Sequence, residues 1–502
     1  MSAISAQLPG LQVVVPLLGA IIAAFIRRGT LAWAWATLIT AATPVMAFAL
    51  LVQVWANGPI SYHLGGWPPP IGIEYRVDLL NAFVLMLVSL VSAIMMPYAR
   101  RSVAHEIDGD KQAWFYCMYL LCLTGLLGIT ITGDAFNAFV FLEISSLSSY
   151  VLIAMGRDRR ALVASYQYLI VGTIGATFYV VGVGLLYLVT GSLNFADIAT
   201  RLADANVMFP RPVLAALAFL FVGISLKLAL FPLHVWLPNA YAYAPSFATA
   251  FLAATATKVA IYLFLRIGFS VYGVALDIKA LPISAVLYPL SVAAMFIASI
   301  LAVYEQNLKR MLAYSSVAQI GYITLGIALM NQAGLTGAIV HLFNHALIKG
   351  GLFLALGAVV YRAGTIKLDD LGGVGRTMPL TLAAFVVAGM SLMGVPGTAG
   401  FISKYYLVVG AFDAGLWPVA FLIVASSLIA LVYIGRVVEI AYFRPVSEAV
   451  AHAKDPPLMM LVPILVLTIA SIYFGIDTEL SAGVANRIAE GLIGALKLGE
   501  AH

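Results

Sequence analysis

Runs of about twenty apolar residues follow one another along almost the whole chain, separated by short polar connections. That is the length needed to cross a bilayer as a helix. The pattern predicts about fourteen spans, near 9–26, 31–55, 77–100, 113–133, 135–155, 161–190, 212–237, 246–266, 284–304, 312–330, 335–360, 379–409, 416–440 and 458–476. Membrane strands would show alternation over about ten residues. These runs are apolar on every side, so they read as helices. Two of them carry breakers: Pro232 interrupts the seventh, and Gly394, Pro396, Gly397 and Gly400 interrupt the twelfth. Proline removes a backbone donor and glycine frees φ, so both helices should be broken within the membrane.

Composition strengthens this picture. The chain is 63% hydrophobic and 10% charged over 502 residues, whereas a soluble protein carries roughly a quarter charged residues. Net charge is +5, but the basic residues are scattered, which gives no nucleic-acid footprint. Their scatter follows the positive-inside rule. With the N-terminus outside, sixteen of the 27 Lys and Arg fall in cytoplasmic connections, seven fall outside and four lie within spans. Both termini are therefore expected on the outer, periplasmic side of the inner (plasma) membrane. Arg27 and Arg28 follow the first apolar run rather than precede it, so that run is expected to be a retained span and not a cleaved signal. The stretch 480–498 is amphipathic, which suits either a helix on the outer surface or a solvated tail.

No cofactor is expected. The two cysteines, Cys117 and Cys122, share one apolar run and are too few for an iron–sulfur cluster. Neither a dinucleotide fingerprint nor a phosphate loop is present. No redox centre is therefore read in this chain, and enzymatic activity is left open.

The informative residues are those that do not belong in hydrocarbon. Glu143, Lys227, Lys258, Lys349 and Lys404 lie within spans, with His234, His341 and His345. Each such group costs at least a few kcal/mol to place there, so each is a functional hypothesis by default. Glu143 precedes Ser145, Ser146, Ser148 and Ser149, whose hydroxyls could solvate a carboxylate. Lys227 lies five residues before Pro232, and Glu143 is its natural partner; a buried ion pair that merely fixes packing is the alternative. His234, seven residues on, is either part of this region or an interfacial histidine. Lys258 is mid-span beside Thr255 and Thr257, too deep to snorkel readily. His341, His345 and Lys349, at i, i+4 and i+8, should share one helix face. A metal between the histidines would lack a third ligand and face a lysine, so a proton relay fits better. Lys404 is a second lysine beside a broken helix. That pairing suggests five spans from the fourth and five from the ninth, the second set inverted in the membrane, as in many transporters. Among the other charges, Glu305 with Lys309 and Arg436 with Glu439 are expected to be surface pairs, and Asp134 a helix cap.

These residues sit in recognisable stretches. "TGDAFNAFVFLEISSLSSYVL", "LKLALFPLHVWLPNAYAYAP", "NLKRMLAYSSVAQIGY", "HLFNHALIKGGLFLALG" and "GVPGTAGFISKYY" resemble the antiporter-like subunits shared by respiratory complex I (NADH:quinone oxidoreductase) and Mrp-type cation/proton antiporters. The likeness is greatest to the D-subunit branch of the latter. It implies an all-α membrane fold of fourteen helices with two inverted five-helix repeats and broken helices seven and twelve. Four segments follow: 1–112 with three helices, 113–270 as the first repeat, 280–445 as the second, and 446–502 with the last helix and tail. The resemblance implies that Glu143 and Lys227 form the charge pair of the first half, that Lys258 bridges the halves, and that Lys404 ends the second. His341, His345 and Lys349 would belong to the polar axis between them.

Two functions compete. One is the proton-translocating subunit of a multi-subunit antiporter exchanging protons for Na⁺ or another monovalent cation. The other is a proton-pumping membrane subunit of an NADH:quinone oxidoreductase or membrane-bound hydrogenase. Both require other membrane subunits as partners.

Overall fold

The computed structural model of the chain describes residues 3–203, 211–273 and 283–499. Its helices, in chain order, are α1 (Ala3–Phe25), α2 (Gly29–Asn57), α3 (Leu79–Glu106), α4 (Gln112–Ile131), α5 (Ala135–Ala154), α6 (Arg160–Thr190), α7 (Phe195–Leu202), α8 (Arg211–Leu228), α9 (Leu237–Tyr243) and α10 (Ser246–Leu265). They continue as α11 (Ile283–Ala293), α12 (Ser299–Tyr304), α13 (Leu308–Ala328), α14 (Gln332–Ala363), α15 (Val374–Thr377), α16 (Pro379–Met393), α17 (Ala399–Asp413), α18 (Trp417–Val438), α19 (Leu458–Ile476) and α20 (Val484–Gly499).

Among the described residues, 13 helices are long and apolar enough to cross a membrane. α16 and α17, at 15 residues each, are individually too short. Joined end to end across residues 394–398 they supply one further, interrupted pass, in keeping with the expected fourteen. In lipid every backbone polar group must find a partner inside the protein, which leaves the helix as the default for such runs. The chain is a multi-pass membrane protein.

Both expected breaks are present. α8 stops at Leu228, Ala229 takes a left-handed φ of 60°, and the chain turns through residues 229–236 before α9. The indole of Trp236 donates to the freed Leu226 carbonyl at 2.9 Å. α16 stops at Gly394, where φ is 88°, and Gly397 has φ 83°. Only glycine takes such angles without steric cost.

Burial is uneven. α10, α13 and α14 are the most enclosed long helices, while α1, α2, α6 and α19 leave apolar flanks such as Leu38, Phe48, Leu188 and Ile469 outward. α14 is the central pillar, packing on α10, α13, α16, α17 and α19. Lys258, His341, His345 and Lys349 thus sit on helices with the least access to lipid, whereas Glu143, Lys227 and Lys404 sit on α5, α8 and α17 around them.

One end of the bundle carries a small hairpin, β1 (Ile60–His63) against β2 (Glu74–Val77), with Ser61 opposite Arg76. The buried Glu74 ties it down, accepting from Ser61 Oγ at 2.5 Å and Asn194 Nδ2 at 2.7 Å. The tail is docked on this face: α20 buries Ala485, Ile488 and Ala489, packs against α14 and α3, and lays Arg487 over the Trp55 ring at 4.3 Å. It is therefore a packed surface helix rather than a solvated tail. Asp134 does cap α5, accepting from Asn137 N at 2.6 Å.

Two expected surface pairs are absent. Lys309 is buried and donates to the Ala244 carbonyl at 3.1 Å, while Glu305 faces Arg310 at 3.5 Å. Arg436 donates to the Val303 carbonyl at 2.8 Å, and Glu439 pairs with Arg444 at 3.1 Å. Spacing of i, i+3 or i, i+4 lets two side chains meet but does not oblige them to when a neighbouring segment offers a carbonyl.

Candidate ion-conducting core

The first cluster forms where α5, α6 and α8 meet. Lys227, on the last turn of α8, is buried, and its Nζ lies 3.9 Å from Glu143 Oε1. At that separation the pair attracts but does not hydrogen-bond. The ammonium instead donates to Ser146 Oγ at 2.6 Å. Glu143 Oε1 has no hydrogen-bond partner among the described residues. The other serines do not solvate the carboxylate: Ser145, Ser148 and Ser149 bond back to carbonyls of their own helix. Gly172 makes room for the Tyr150 hydroxyl, which a Cβ there would strike, while Lys227 Nζ would lie at ordinary contact, 3.4 Å, from that Cβ. Tyr150, Tyr168 and Trp236 follow in succession beside the lysine, the first two edge-on at 4.7 Å and the last two stacked at 3.8 Å and nearly parallel.

The second cluster lies on the central helices. Lys258 is fully buried on α10, with its Nζ donating to the Ala253 carbonyl and to Thr257 Oγ1 at 3.4 Å. No carboxylate pairs with it among the described residues. His345 stands within electrostatic reach of both Lys258 and Lys349, and both its ring nitrogens lack a hydrogen-bond partner among the described residues. The His345 and His341 rings follow one another at 6.2 Å. Both nitrogens of His341 are engaged, Nδ1 with Ser403 Oγ at 2.8 Å and Nε2 with Gln319 Oε1 at 2.9 Å. The third member of the expected stripe meets the same helix, α13, further along. Lys349 donates to the Leu312 carbonyl at 2.8 Å and to Ser315 Oγ. Eight residues of α-helix rise about 12 Å, so Lys349 addresses a different level of α13 from His341.

The third cluster is built on the second break. Lys404, on α17, donates to the carbonyls of Leu392 at 3.1 Å and Met393 at 2.8 Å, the last residues of α16. Its third bond goes to Ser427 Oγ on α18 at 2.9 Å. The Tyr322 ring lies 4.7 Å from the ammonium, and the Tyr322 hydroxyl contacts Ser426 and Ser427 at 3.0 and 3.2 Å. Tyr322 also neighbours His341, ring centres 5.7 Å apart. A cavity of about 470 Å³ opens beside Lys404, lined by Gly394, Pro396, Tyr405, Ser427 and Leu428 among others.

The structure thus brings Glu143 to Lys227, and joins His345, His341 and Lys404 into a polar line with Lys258 and Lys349 at its inner end. His234 is not part of it. It lies past the break, buried, stacked on Phe231 at 5.2 Å. Gln319, Tyr322, Ser403 and Ser427 are further partners, and as uncharged residues they do not stand out among the spans. Ser315, Gln319 and Tyr322 fall at i, i+4 and i+7 on α13, and that periodic polar face was the available signal.

Fold and site together define a polytopic membrane protein with a buried row of ionisable side chains threaded past two broken helices. Residues 132–430 match the family described as NADH:quinone oxidoreductase/Mrp antiporter, transmembrane, and the chain belongs to that family. It is 42% identical over 490 residues to the N subunit of the NADH-quinone oxidoreductase of Desulforudis audaxviator, covering 95% of this chain and 97% of that one. It is 28% identical to the D subunit of the Na⁺/H⁺ antiporter of Bacillus subtilis, covering 98% of each. A chain in the solved Mrp complex from Dietzia sp. superposes with a TM-score of 0.88 at 27% identity, covering 99% of both.

Proposed function

We propose that this chain is the proton-translocating subunit of a multi-subunit Na⁺/H⁺ (or other monovalent cation/H⁺) antiporter of the Mrp type. The observation that carries this reading is the polar line itself: a carboxylate–lysine pair at one break, a lysine on backbone carbonyls at the other, and a lysine and two histidines between. A proton enters from the cytoplasm and loads Lys227. It passes Lys258 and the His345–His341 pair to Lys404, and leaves on the outer side. Water is needed between Lys227 and Lys258, which share no hydrogen bond. Motion of Glu143 relative to Lys227 drives the transfer, because in a low-dielectric site a small shift of a counter-charge changes proton affinity strongly.

The chain would work within a complex of other membrane subunits in the inner membrane, both termini outside as the charge bias suggests. Residues 113–270 and 280–445 would act as two inverted half-channels. A second reading, a proton-pumping subunit of an NADH:quinone oxidoreductase-like complex, is favoured by the 42% identity to a subunit of that name.

The test is cation-dependent ΔpH in inverted vesicles holding the complete complex, with Glu143→Ala and Lys404→Ala beside wild type. Collapse of ΔpH by Na⁺ in wild type alone supports the antiporter. If Na⁺ does nothing while NADH builds a ΔpH that the variants lose, the redox-driven reading replaces it.

A further inference from the structure

Lys258 shares a helix face with two residues that the row described above does not use. Tyr262 and Arg266 follow it at i+4 and i+8, leading from the bundle centre toward the hairpin face. Arg266 is 9% exposed, and its guanidinium grips Asp78 with two bonds, at 2.6 and 2.8 Å. Its Nε donates to the Tyr262 hydroxyl at 3.2 Å. Asp78 caps α3 in a reciprocal box with Asn81, so its position is fixed. Beyond the pair the protein is open. A cavity of about 630 Å³ is lined by Arg76, Asp78, Arg266, Ser270 and Arg487, with Gly133 and Phe195 on its far wall. The Asp78–Arg266 pair therefore stands between this vestibule and a hydroxyl one helical turn from the central lysine.

We propose that the Asp78–Arg266 pair is a gate on a second route out of the row, from Lys258 through the Tyr262 hydroxyl into the hairpin-face vestibule. A tyrosine hydroxyl both accepts and donates a proton, so it relays without holding charge. The bidentate guanidinium–carboxylate fork closes the route twice, sterically and by placing a fixed cation in the way of a proton. Opening requires the fork to part, which the vestibule leaves room for. This inference rests on the reading of Lys258 as a proton carrier, and not on which driving ion the complex uses.

The test is the decay of an imposed ΔpH in vesicles holding the assembled complex, with no driving cation or reductant. Asp78→Asn, which keeps the cap and loses the charge, should let ΔpH decay about tenfold faster than wild type, the effect of a gate shifted toward open by about 1.4 kcal/mol. Adding Lys258→Met should restore the wild-type rate, because the leak passes that lysine. Tyr262→Phe removes one hydroxyl and leaves the ion pair intact. It should also abolish the Asp78→Asn leak, with the complex assembled as before. A ΔpH held as in wild type by assembled Asp78→Asn overturns the gate, and a leak that survives Lys258→Met overturns the route. If Asp78→Asn does not assemble, Arg266→Lys, a single point charge in place of the fork, is scored against the same two outcomes. Should neither assemble, Arg266→Gln, which removes the cation and leaves the Asp78 cap, is scored against the same two outcomes. Loss of cation exchange in wild type would sink the antiporter reading alone, since the leak needs no driver.

Discussion

The two breaks solve the same backbone problem in opposite ways. At the first, the carbonyl freed when α8 stops is taken by a neutral group, the Trp236 indole, and Lys227 is left to a side-chain carboxylate and a serine. At the second, the freed carbonyls of Leu392 and Met393 are taken by Lys404 itself, and no carboxylate stands near among the described residues. The first lysine thus answers to a partner that can move on its own. The second answers to the backbone, and can be released only by a change in the break or in α18, which supplies Ser427. On the proposed reading, the first site would serve as a switch and the second as a receiver.

The largest expected effect tests the receiver. Gly394→Ala would put a Cβ 2.9 Å from Lys404 Cδ at a residue with φ 88°. Cation-dependent ΔpH should fall to background with the complex still assembled. Gly172→Ala, in ordinary helical backbone, would drive a Cβ into the Tyr150 hydroxyl but come only to ordinary contact, 3.4 Å, with Lys227 Nζ, so exchange should fall less, through displacement of the Tyr150 ring alone. Equal losses would erase the distinction. Next, Glu143→Gln leaves Lys227 without its counter-charge. A loss of at least about tenfold in exchange is expected, because the stranded ammonium is buried although Glu143 itself is 26% exposed. An intact rate would mean the pair only fixes packing. Ser427→Ala removes one of three bonds to the Lys404 ammonium, worth about 1.5–3 kcal/mol, and should slow exchange at least about tenfold. The smallest effect on transport belongs to Trp236→Phe. It keeps the stack on Tyr168 but leaves the Leu226 carbonyl with only the long 3.4 Å bond from Ala229 N, so the thermal midpoint of the purified complex should drop while exchange changes by less than about threefold. A large transport defect at full stability would show the first break also works through its backbone.

Much of this contrast was legible in the chain. The breakers at Pro232 and Gly394–Gly400 announced both interruptions, because they act on the local backbone whatever surrounds them. Glu143 and Lys227 could be paired because a carboxylate and an ammonium in hydrocarbon have few other ways to exist. What each break does with its carbonyls was not legible, since Trp236 and Lys404 reach back ten to twelve residues through a fold that spacing alone does not specify. Asp78 and Arg266 escaped for a similar reason. They lie 188 residues apart, and an arginine at a span end reads as a loop charge until the fold buries it. His234 shows the converse: a polar residue near the right place need not share in the site.

The row also has a property that belongs to no single residue. Lys227, Lys258, His345, His341 and Lys404 lie along it, and Glu143 is the one acid that faces them among the described residues. One positive charge is balanced; a second is not. Any two unbalanced charges about 8 Å apart repel by about 2 kcal/mol even at an intermediate dielectric. On the proposed reading, a proton arriving beside an occupied site is therefore disfavoured, so that the row would hand charges on singly, limited by the scarcity of carboxylates rather than by the number of carriers.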